Sequence, residues 1–312
     1  MPPILKGKRI VLGVTGSIAC YKALDLASQI TQSGGLIDVI MSYGATRFVT
    51  PLAFKSLTHR KVITDLYDVD SEFPIDHINI ASEADLIVVA PATAQCIAKV
   101  ALGIADDPLT TTILASRAQI VMAPAMDGYM YENPITQENI EKLKSRGVII
   151  LGPDTGRLAS GLTGHGRLVD VHELFGHICV ILGQNGDLSG NTIVVSAGGT
   201  REPLDPARVI TNRSSGKMGY AIARAARERG AKTVLVTAPT NIPAPTSVET
   251  IKVETAEEMY SEIQKACVNA DVLIMAAAVS DYKPIQPSKQ KIKKTSAKFS
   301  IDLLRNPDIL NE

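Results

Sequence analysis

Short runs rich in valine and isoleucine alternate with helix-length segments along this chain, and this alternation constrains the fold more than any other feature. The first half contains five such runs, each followed by a Gly, Pro or Ser turn, at 9–14, 37–41, 86–90, 120–123 and 148–151. Apolar runs of strand length separated by helices are typical of a parallel sheet covered by helices. The sequence therefore predicts an α/β fold.

The same alternation restarts in the second half. Strands at 193–196, 233–237 and 272–276 and helices at 218–229 and 256–268 form a second βαβαβ set. Segment 183–190, rich in glycine and polar residues, is typical of a linker, so we place the domain boundary near residue 186. We expect two doubly wound, Rossmann-like or flavodoxin-like domains in tandem, at 1–186 and 187–312, the second incomplete at its C-terminal end. Segment 152–167 has five glycines and irregular apolar spacing, and predicts a mobile flap.

Composition excludes several classes of protein. The 312 residues include 32 Lys+Arg and 32 Asp+Glu, so no charge excess favours nucleic acid or an acidic membrane surface. The longest apolar runs fall well short of the ~18 residues that span a bilayer, and the first residues lack a signal-peptide core. The four cysteines (Cys20, Cys96, Cys179, Cys267) form no CxxC pair, which excludes a zinc ribbon. We expect a soluble protein of the reducing cytoplasm.

Two glycine-rich stretches raise the question of phosphate binding. Gly13-Val-Thr-Gly-Ser17 joins the first strand to a predicted helix, 17–32, which Ser17 can cap and whose free N-terminal amides favour an anion. This turn favours a nucleotide or flavin, although such turns also occur for packing alone. The stretch 214–217 ends like a P-loop, but Met218 stands where a magnesium-binding Ser or Thr is required, so a Walker ATPase is excluded.

The ends of two predicted strands favour a ligand site. Pro91-Ala-Thr-Ala94 and Pro124-Ala-Met-Asp127 both follow strands, and parallel sheets bind ligands at this carboxyl edge. His77 precedes an acidic helix start, where a histidine is more often a surface or capping residue than a catalytic one. The histidines at 165, 172 and 177 lack the spacing of a metal site.

Together these motifs resemble one family over essentially the whole chain: the bifunctional phosphopantothenoylcysteine decarboxylase and phosphopantothenate–cysteine ligase of coenzyme A biosynthesis. The decarboxylase-like motifs are GVTGSIACYK (13–22), DHI (76–78), APATA (90–94), GIADDPLTT (103–111) and PAMDGYM (124–130). The ligase-like motifs are GGTREPLDPARVITNRSSGKMG (198–219), AAAVSDY (276–282) and KIKK (291–294).

The resemblance implies FMN as the cofactor of the first domain and His77 as its catalytic base. In this family the flavin takes two electrons from the cysteinyl end of the substrate, carbon dioxide leaves as an enethiolate forms, and the flavin returns the electrons. The implied cofactor-binding residues are Gly16, Ser17, Ile18, Ser42, Thr46, Thr93, Ala105 and Asp106. The implied substrate-binding residues of the first domain are Met126, Asp127 and Met130.

Two positions depart from the family pattern. Asp127 and Tyr131 replace the usual Asn and Trp of the substrate motif, and a carboxylate facing the substrate carboxylate repels it unless one is protonated or Asp127 turns away. Ser160 stands in the flap where many members carry a cysteine that helps complete the reduction, and a hydroxyl cannot do redox chemistry. Ser160 then serves as a proton relay, or another group acts, or the final reduction is impaired.

For the second domain the resemblance implies attack of the 4'-phosphopantothenate carboxylate on CTP, followed by capture of the acyl-nucleotide by cysteine. Asn212 would contact the intermediate, Lys291 would neutralise phosphate charge or assist the second step, and Asp281 would lie near the nucleotide or its Mg²⁺. Without the resemblance, the lysines of 291–294 indicate a solvated loop.

The resemblance further implies a homo-oligomer, with decarboxylase trimers that hold flavin between neighbours and ligase dimers, together a possible dodecamer. Two other functions stay open: a decarboxylase of peptides ending in cysteine, and a non-catalytic flavoprotein that serves as a regulatory subunit. An NAD dehydrogenase is disfavoured, because the chain lacks GxGxxG and an acidic residue at the end of the second strand.

Overall fold

The computed structural model describes residues 3–67, 76–161, 163–293 and 299–311. The chain divides into two compact units, Met1–Leu182 and Gly183–Glu312. The boundary predicted near residue 186 lies just inside the second unit. Among the helices of the described ranges, none combines the length and the apolar character that a bilayer crossing needs.

The first unit begins with a short 3-10 helix and then alternates strands with helices. Its strands are β1 (Arg9–Val14), β2 (Leu36–Met41), β3 (Val62–Ile63), β4 (Leu86–Ala92), β5 (Gln119–Pro124), β6 (Ile149–Ile150), β7 (Asp154–Arg157) and β8 (Thr163–Arg167). Its helices are α1 (Cys20–Gln32), α2 (Tyr43–Thr46), α3 (Pro51–Thr58), α4 (Asp76–Glu83), α5 (Ala94–Leu102), α6 (Pro108–Ala115), α7 (Gly128–Glu132), α8 (Pro134–Ser145) and α9 (Val171–Gly183).

Six parallel strands form the central sheet of this unit, in the order β3-β2-β1-β4-β5-β6. Alternate residues of β1 enter different cores, with Ile10 and Leu12 on one face of the sheet and Val11 on the other. Helices α1 and α9 cover the first face, and α5, α6 and α8 cover the second. The strand order reverses between β1 and β4, where the edge of such a sheet opens a crevice for ligands.

The second unit repeats the architecture with a smaller sheet. Its elements are β9 (Thr192–Ala197), β10 (Arg201–Asp205), β11 (Arg208–Thr211), α10 (Lys217–Glu228), β12 (Lys232–Thr237), β13 (Glu249–Lys252), α11 (Ala256–Cys267), β14 (Val272–Met275), β15 (Tyr282–Pro284) and β16 (Leu303–Arg305). Four parallel strands pair in the order β13-β12-β9-β14, with α10 packed on one face and α11 on the other. The prediction of two doubly wound parallel sheets is confirmed.

Two local expectations were wrong. Helix α1 begins at Cys20, three residues after the predicted cap Ser17, and its N-cap Ala19 makes no side-chain hydrogen bond. The predicted flap 152–167 contains regular antiparallel structure, because β7 and β8 pair as a hairpin. The predicted linker 183–190 starts where the second unit begins, and it contacts the end of α10, where the Leu188 N–H donates to the Arg229 carbonyl at 3.0 Å and Asp187 pairs with Arg229.

Candidate functional site

A cavity of about 820 Å³ opens at the carboxyl edge of the first sheet, where the strand order reverses between β1 and β4. Four segments form its walls: the turn after β1, the loop after β4, the loop from β5 into α7, and the β7–β8 hairpin. The sequence-predicted residues that line the cavity are Gly16, Ser17, Ile18, Thr93, Met126, Asp127, Met130 and Ser160. The topology thus gathers, at one edge, residues that lie far apart in the sequence.

Two threonines fix the turn after β1 against the loop after β4. The Thr15 hydroxyl donates to the Pro91 carbonyl at 2.7 Å and accepts the Thr93 N–H at 2.9 Å. Thr93 in turn caps α5, since its side-chain oxygen accepts the Cys96 N–H at 3.4 Å. Because Thr15 is almost fully buried, this bridge holds the two cavity walls in one register.

The turn after β1 approaches the turn after β2 closely. A Cβ placed on Gly16 would lie 3.0 Å from the Gly44 backbone, so a larger residue at position 16 would push the two turns apart. Gly44 lies between two sequence-predicted residues, Ser42 and Thr46, which do not line the cavity. Ser42 caps α2 by accepting the Ala45 N–H, and the Thr46 hydroxyl donates to the Tyr43 carbonyl at 2.8 Å.

Two apolar side chains, one just before α1 and one in its first turn, line the cavity. Ile18 and Tyr21 are 57% and 61% exposed, and both line the cavity. The apolar residues at 18, 21, 24, 27 and 30 are spaced three apart and predict one buried stripe, but of these only Ala27 and Ile30 are fully buried in the core. An exposed apolar surface in a concave site is suited to a flat ring.

The loop from β5 into α7 supplies Met126, Asp127 and Met130 to the cavity. One carboxylate oxygen of Asp127 accepts the Tyr129 N–H at 3.1 Å and so caps α7. Asp127 therefore lines the cavity while its carboxylate is partly engaged in capping.

The β7–β8 hairpin, hereafter the flap, is fastened to this same loop. The Met126 N–H donates to the Gly166 carbonyl at 3.0 Å, and the Gly128 backbone lies against the His165 carbonyl. The turn of the flap places Ser160 at the cavity, where it is exposed.

Sequence reasoning missed three cations that line the cavity, Lys22, Arg157 and Arg167. Lys22 belongs to a motif that we identified, but we assigned it no role. The two arginines belong to the flap, and only the pairing of its strands brings them to the same wall.

The structure does not bring every predicted residue to this cavity. His77 is half-buried at the start of α4, which packs on α6, and it does not line the cavity. Ala105 and Asp106 lie between α5 and α6, also outside the cavity. The Lys99 ammonium bonds Asp106 at 2.6 Å and holds the pKa of that carboxyl below its usual range.

The residues present fit a flavin mononucleotide. Gly16 and the hydroxyl residues Ser17 and Thr93 line the cavity just before α1, and backbone N–H and hydroxyl groups of this kind suit a phosphate. Ile18, Tyr21 and Met130 offer apolar surface to a ring. This combination is the donor set that a phosphorylated aromatic cofactor needs.

In the second unit the predicted residues lie around the carboxyl ends of β9 and β14. The Asn212 side-chain amide donates to the Val279 carbonyl at 2.9 Å, two residues before Asp281. Asp281 lines a smaller cavity of about 190 Å³ together with Asn306 and Asp308. Asn306 is 5% exposed, and its Oδ1 atom has no hydrogen-bond partner among the described residues.

Lys291 is exposed and does not line the smaller cavity. The loop that carries it is anchored to the β10–β11 hairpin, because Asp205 accepts the Ile292 N–H at 3.0 Å and Arg208 donates to the Ile292 carbonyl at 2.7 Å. The Arg208 guanidinium holds the pKa of Asp205 well below its usual range. Within the described ranges, no three His, Cys, Asp or Glu side chains form a potential metal cluster around Asp281 or elsewhere.

Comparison with known proteins agrees with this architecture. The Flavoprotein family matches residues 3–183, and the DNA/pantothenate metabolism flavoprotein C-terminal domain matches residues 188–312. The coenzyme A biosynthesis bifunctional protein CoaBC of Vibrio parahaemolyticus is 43% identical over 308 residues, which cover 98% of this chain and 77% of that protein.

Two solved structures resemble the first unit. A cysteine-to-serine mutant of PPC decarboxylase complexed with pantothenoylaminoethenethiol is 27% identical with a TM-score of 0.51, covering 55% of this chain and 97% of that one. The FMN binding protein AtHal3 is 26% identical with a TM-score of 0.50, covering 55% and 95%. From its two matched domains and its identity over nearly its full length, the chain belongs to the family of bifunctional coenzyme A biosynthesis proteins.

Proposed function

We propose that the first unit is an FMN-dependent decarboxylase that converts phosphopantothenoylcysteine to 4'-phosphopantetheine. The observation that carries this proposal is the single cavity that unites the turn at Gly16, the loop at Thr93, the substrate-motif loop at Met126 and the flap at Ser160. The related PPC decarboxylase and FMN-binding structures support it.

When bound, FMN would supply the two-electron oxidation of the cysteinyl end and the later return of those electrons. The backbone amide of Gly16 and the hydroxyl groups of Ser17 and Thr93 would hold its phosphate, since the Ser17 and Thr93 N–H groups already donate to Thr15. Ile18 and Met130 would cover the ring and exclude water.

Asp127 would orient the substrate carboxylate only if the repulsion between the two negative charges is relieved. The hydrogen bond from the Tyr129 N–H draws one oxygen of Asp127 toward the start of α7. Ser160 would hold or move a proton at its Oγ atom, since a hydroxyl group both donates and accepts a hydrogen bond.

His77 would be the base that takes a proton from the substrate, but it does not line the cavity of its own chain. We therefore propose that the chain acts as a homo-oligomer with the cavity between neighbouring copies, so that His77 of one copy faces the cavity of the next. Trimers, as the family resemblance implies, would satisfy this requirement. Crosslinking and analytical ultracentrifugation of the purified protein test it, and a monomer with full decarboxylase activity would contradict it.

Absorbance spectroscopy followed by mass spectrometry of the same sample tests the decarboxylase proposal. The purified protein is expected to show flavin absorbance, and addition of phosphopantothenoylcysteine is expected to release a product with the mass of 4'-phosphopantetheine. His77→Gln should keep the flavin and lose turnover, whereas Lys142→Gln on the exposed face of α8 should change neither. A colourless wild-type protein that leaves the substrate intact would overturn the proposal.

Ser160→Cys separates decarboxylation from the final reduction. If Ser160 prevents the final reduction, the wild-type protein accumulates the oxidised enethiol product and bleached flavin. Ser160→Cys should then restore the saturated product. If Ser160 suffices as a proton relay, the two proteins release the same product. A peptide ending in cysteine, offered in parallel, tests the alternative substrate class.

For the second unit we propose the ligase reaction, in which 4'-phosphopantothenate is activated by Mg²⁺·CTP and captured by cysteine. The carbonyl of Val279 and the side chain of Asn212 would frame the acyl intermediate beside Asp281. Mg²⁺ bound with a nucleotide often needs only one or two protein carboxylates, which Asp281 and Asp308 can provide.

The buried Oδ1 atom of Asn306 offers an acceptor to an exocyclic amino group of the base. Since cytosine and adenine both carry such a group, calorimetric titration with Mg²⁺·CTP and Mg²⁺·ATP decides between them. Asn306→Ala is expected to weaken binding of the chosen nucleotide, and binding of neither nucleotide by wild type would contradict the proposal.

A further inference from the structure

Three cationic side chains of the first cavity have no role in the proposed decarboxylation. Lys22, Arg157 and Arg167 all line the cavity, and we call them the cationic rim. Lys22 comes from α1, whereas the two arginines end the paired strands of the flap. The rim therefore contains side chains from both α1 and the flap.

The flap strands bring the guanidinium groups to the cavity. In the ladder, Arg157 lies opposite Thr163 and Arg167 lies opposite Asp154. The side chain of Arg167 passes over Gly156, where an added Cβ would come within 3.1 Å of its Cδ atom. Glycine at position 156 thus leaves the space that this arginine occupies.

The charges of the rim are poorly compensated. Asp127 is the one carboxylate that lines the same cavity, among the residues that the structure describes. In those residues no carboxylate forms an ion pair with the rim, and the Lys22 ammonium meets only the Leu168 carbonyl, at 3.4 Å.

The pKa of Lys22 reflects both its burial and the positive charge of a neighbouring residue. Burial, and after it the neighbouring Arg167, lowers the pKa of the Lys22 ammonium, although Asp170 and Asp154 act in the opposite direction. A bound anion would relieve the repulsion between Lys22 and Arg167.

The side chains of the rim indicate which kind of anion it can bind. Arginine offers a planar fork of N–H groups that matches the oxygens of a phosphate, and lysine adds a point charge. In the proposed function the turn at Gly16 and Ser17, with Thr93, holds the phosphate of the cofactor, which leaves the rim free for a second anion.

Resting on the proposed function, we propose that the cationic rim binds the phosphate monoester of the decarboxylase substrate and selects phosphorylated over unphosphorylated substrates. Arg157 and Arg167 are then specificity residues carried by the flap. The cofactor also carries a phosphate monoester, so the test must separate the two.

The experiment measures binding of two ligands that differ only in the phosphate. Calorimetry gives the Kd of 4'-phosphopantetheine and of pantetheine for the full chain and for Arg157→Gln, Arg167→Gln and Arg167→Lys. Each Gln variant is expected to raise the Kd of 4'-phosphopantetheine about tenfold, the effect of losing one charge-assisted hydrogen bond. The Kd of pantetheine should stay within about twofold of wild type on the same argument, and Arg167→Lys should lie in between.

Controls identify the source of any loss. Flavin content, read from absorbance, should not change in the variants, and Lys142→Gln tests for a non-specific charge effect on the same unit. Any ligand bound by the second unit contributes equally to wild type and variants. Equal losses for both ligands, a parallel loss of flavin, or the same loss in Lys142→Gln would each overturn the inference.

Turnover separates this inference from the proposed function. The inference expects the ratio of kcat/KM for phosphopantothenoylcysteine over pantothenoylcysteine to fall about tenfold in each Gln variant. If wild type decarboxylates neither compound but still shows the selective change in Kd, the proposed function fails while the phosphate site stands. If wild type is active and the ratio does not change, the proposed function stands and the rim does not select the phosphate.

Discussion

Gly166 is the residue whose replacement most directly tests how the flap is fastened over the cavity. Its φ is +140°, and an added Cβ would overlap the carbonyl oxygen of Met126. The carbonyl of Gly166 also accepts the Met126 N–H at 3.0 Å, which ties the flap to the substrate-motif loop. Gly166→Ala should therefore open the flap without disturbing the sheet beneath it.

The expected size of this effect comes from two contributions. A side chain held at such a φ costs about 1–3 kcal/mol, and the loss of one hydrogen bond costs about 1 kcal/mol. Their sum, about 2–4 kcal/mol, corresponds to a roughly 30-fold to 700-fold increase in the population of the open flap at 1.4 kcal/mol per factor of ten.

Hydrogen exchange measured by mass spectrometry reads this population directly. Peptides that cover 154–167 and the amide of Met126 should exchange faster by about that factor, while peptides from β1 and β4 should not change. Gly164→Ala is the matched control, because its Cβ would meet only Leu158 at 3.8 Å and its φ is not positive. Wild-type exchange rates in Gly166→Ala, or equal acceleration in Gly164→Ala, would refute the reasoning.

Three further results are expected. Asp205→Ala should speed hydrogen exchange at Ile292 and its neighbours, because the Asp205 carboxylate accepts the Ile292 N–H. The lowered pKa of Asp205 keeps this carboxylate charged below the ordinary value of 3.8, so in wild type the protection should persist as the pH falls from 7 to below 3.8, and its loss at or above 3.8 would contradict the assignment. Glu228→Ala should lower the free energy of unfolding by about 3–5 kcal/mol in denaturant titrations, since it removes the buried Glu228 carboxylate that pairs with the buried Arg227 guanidinium, and a change below about 1 kcal/mol would count against this account. Burial raises the pKa of the Cys96 thiol to about 12, so this thiol should react with a disulfide reagent at pH 8 only after denaturation, and labelling in the native protein would show that the site opens.

The strands were the most predictable part of this protein. The run at 9–14 coincides with β1, and the other predicted strands of the two sheets overlap observed ones. A strand buried on both faces needs a continuous apolar run, which is visible without knowledge of its neighbours. By contrast, the short edge strand β13, with a polar residue at each end, was not predicted.

The start of α1 shows where local reasoning failed. Ser17 has the chemistry of a helix cap, but the helix begins at Cys20, and the preceding turn lies at the cavity. Ile18 and Tyr21 continue the apolar spacing of the helix and yet are exposed. Apolar periodicity shows which side of a helix is apolar. It does not show whether that side packs in the core or lines a ligand site.

The sequence by itself determined the two α/β units and placed the motifs at strand ends, because strand length, apolar runs and turn residues are local properties of the chain. Only the tertiary structure decided which motifs share one cavity. The β7–β8 hairpin brought Arg157 and Arg167 to the cavity that Lys22 also lines, and the packing of α4 on α6 left His77 away from the cavity of its own chain. These placements depend on contacts between residues far apart in the sequence, which no local pattern encodes.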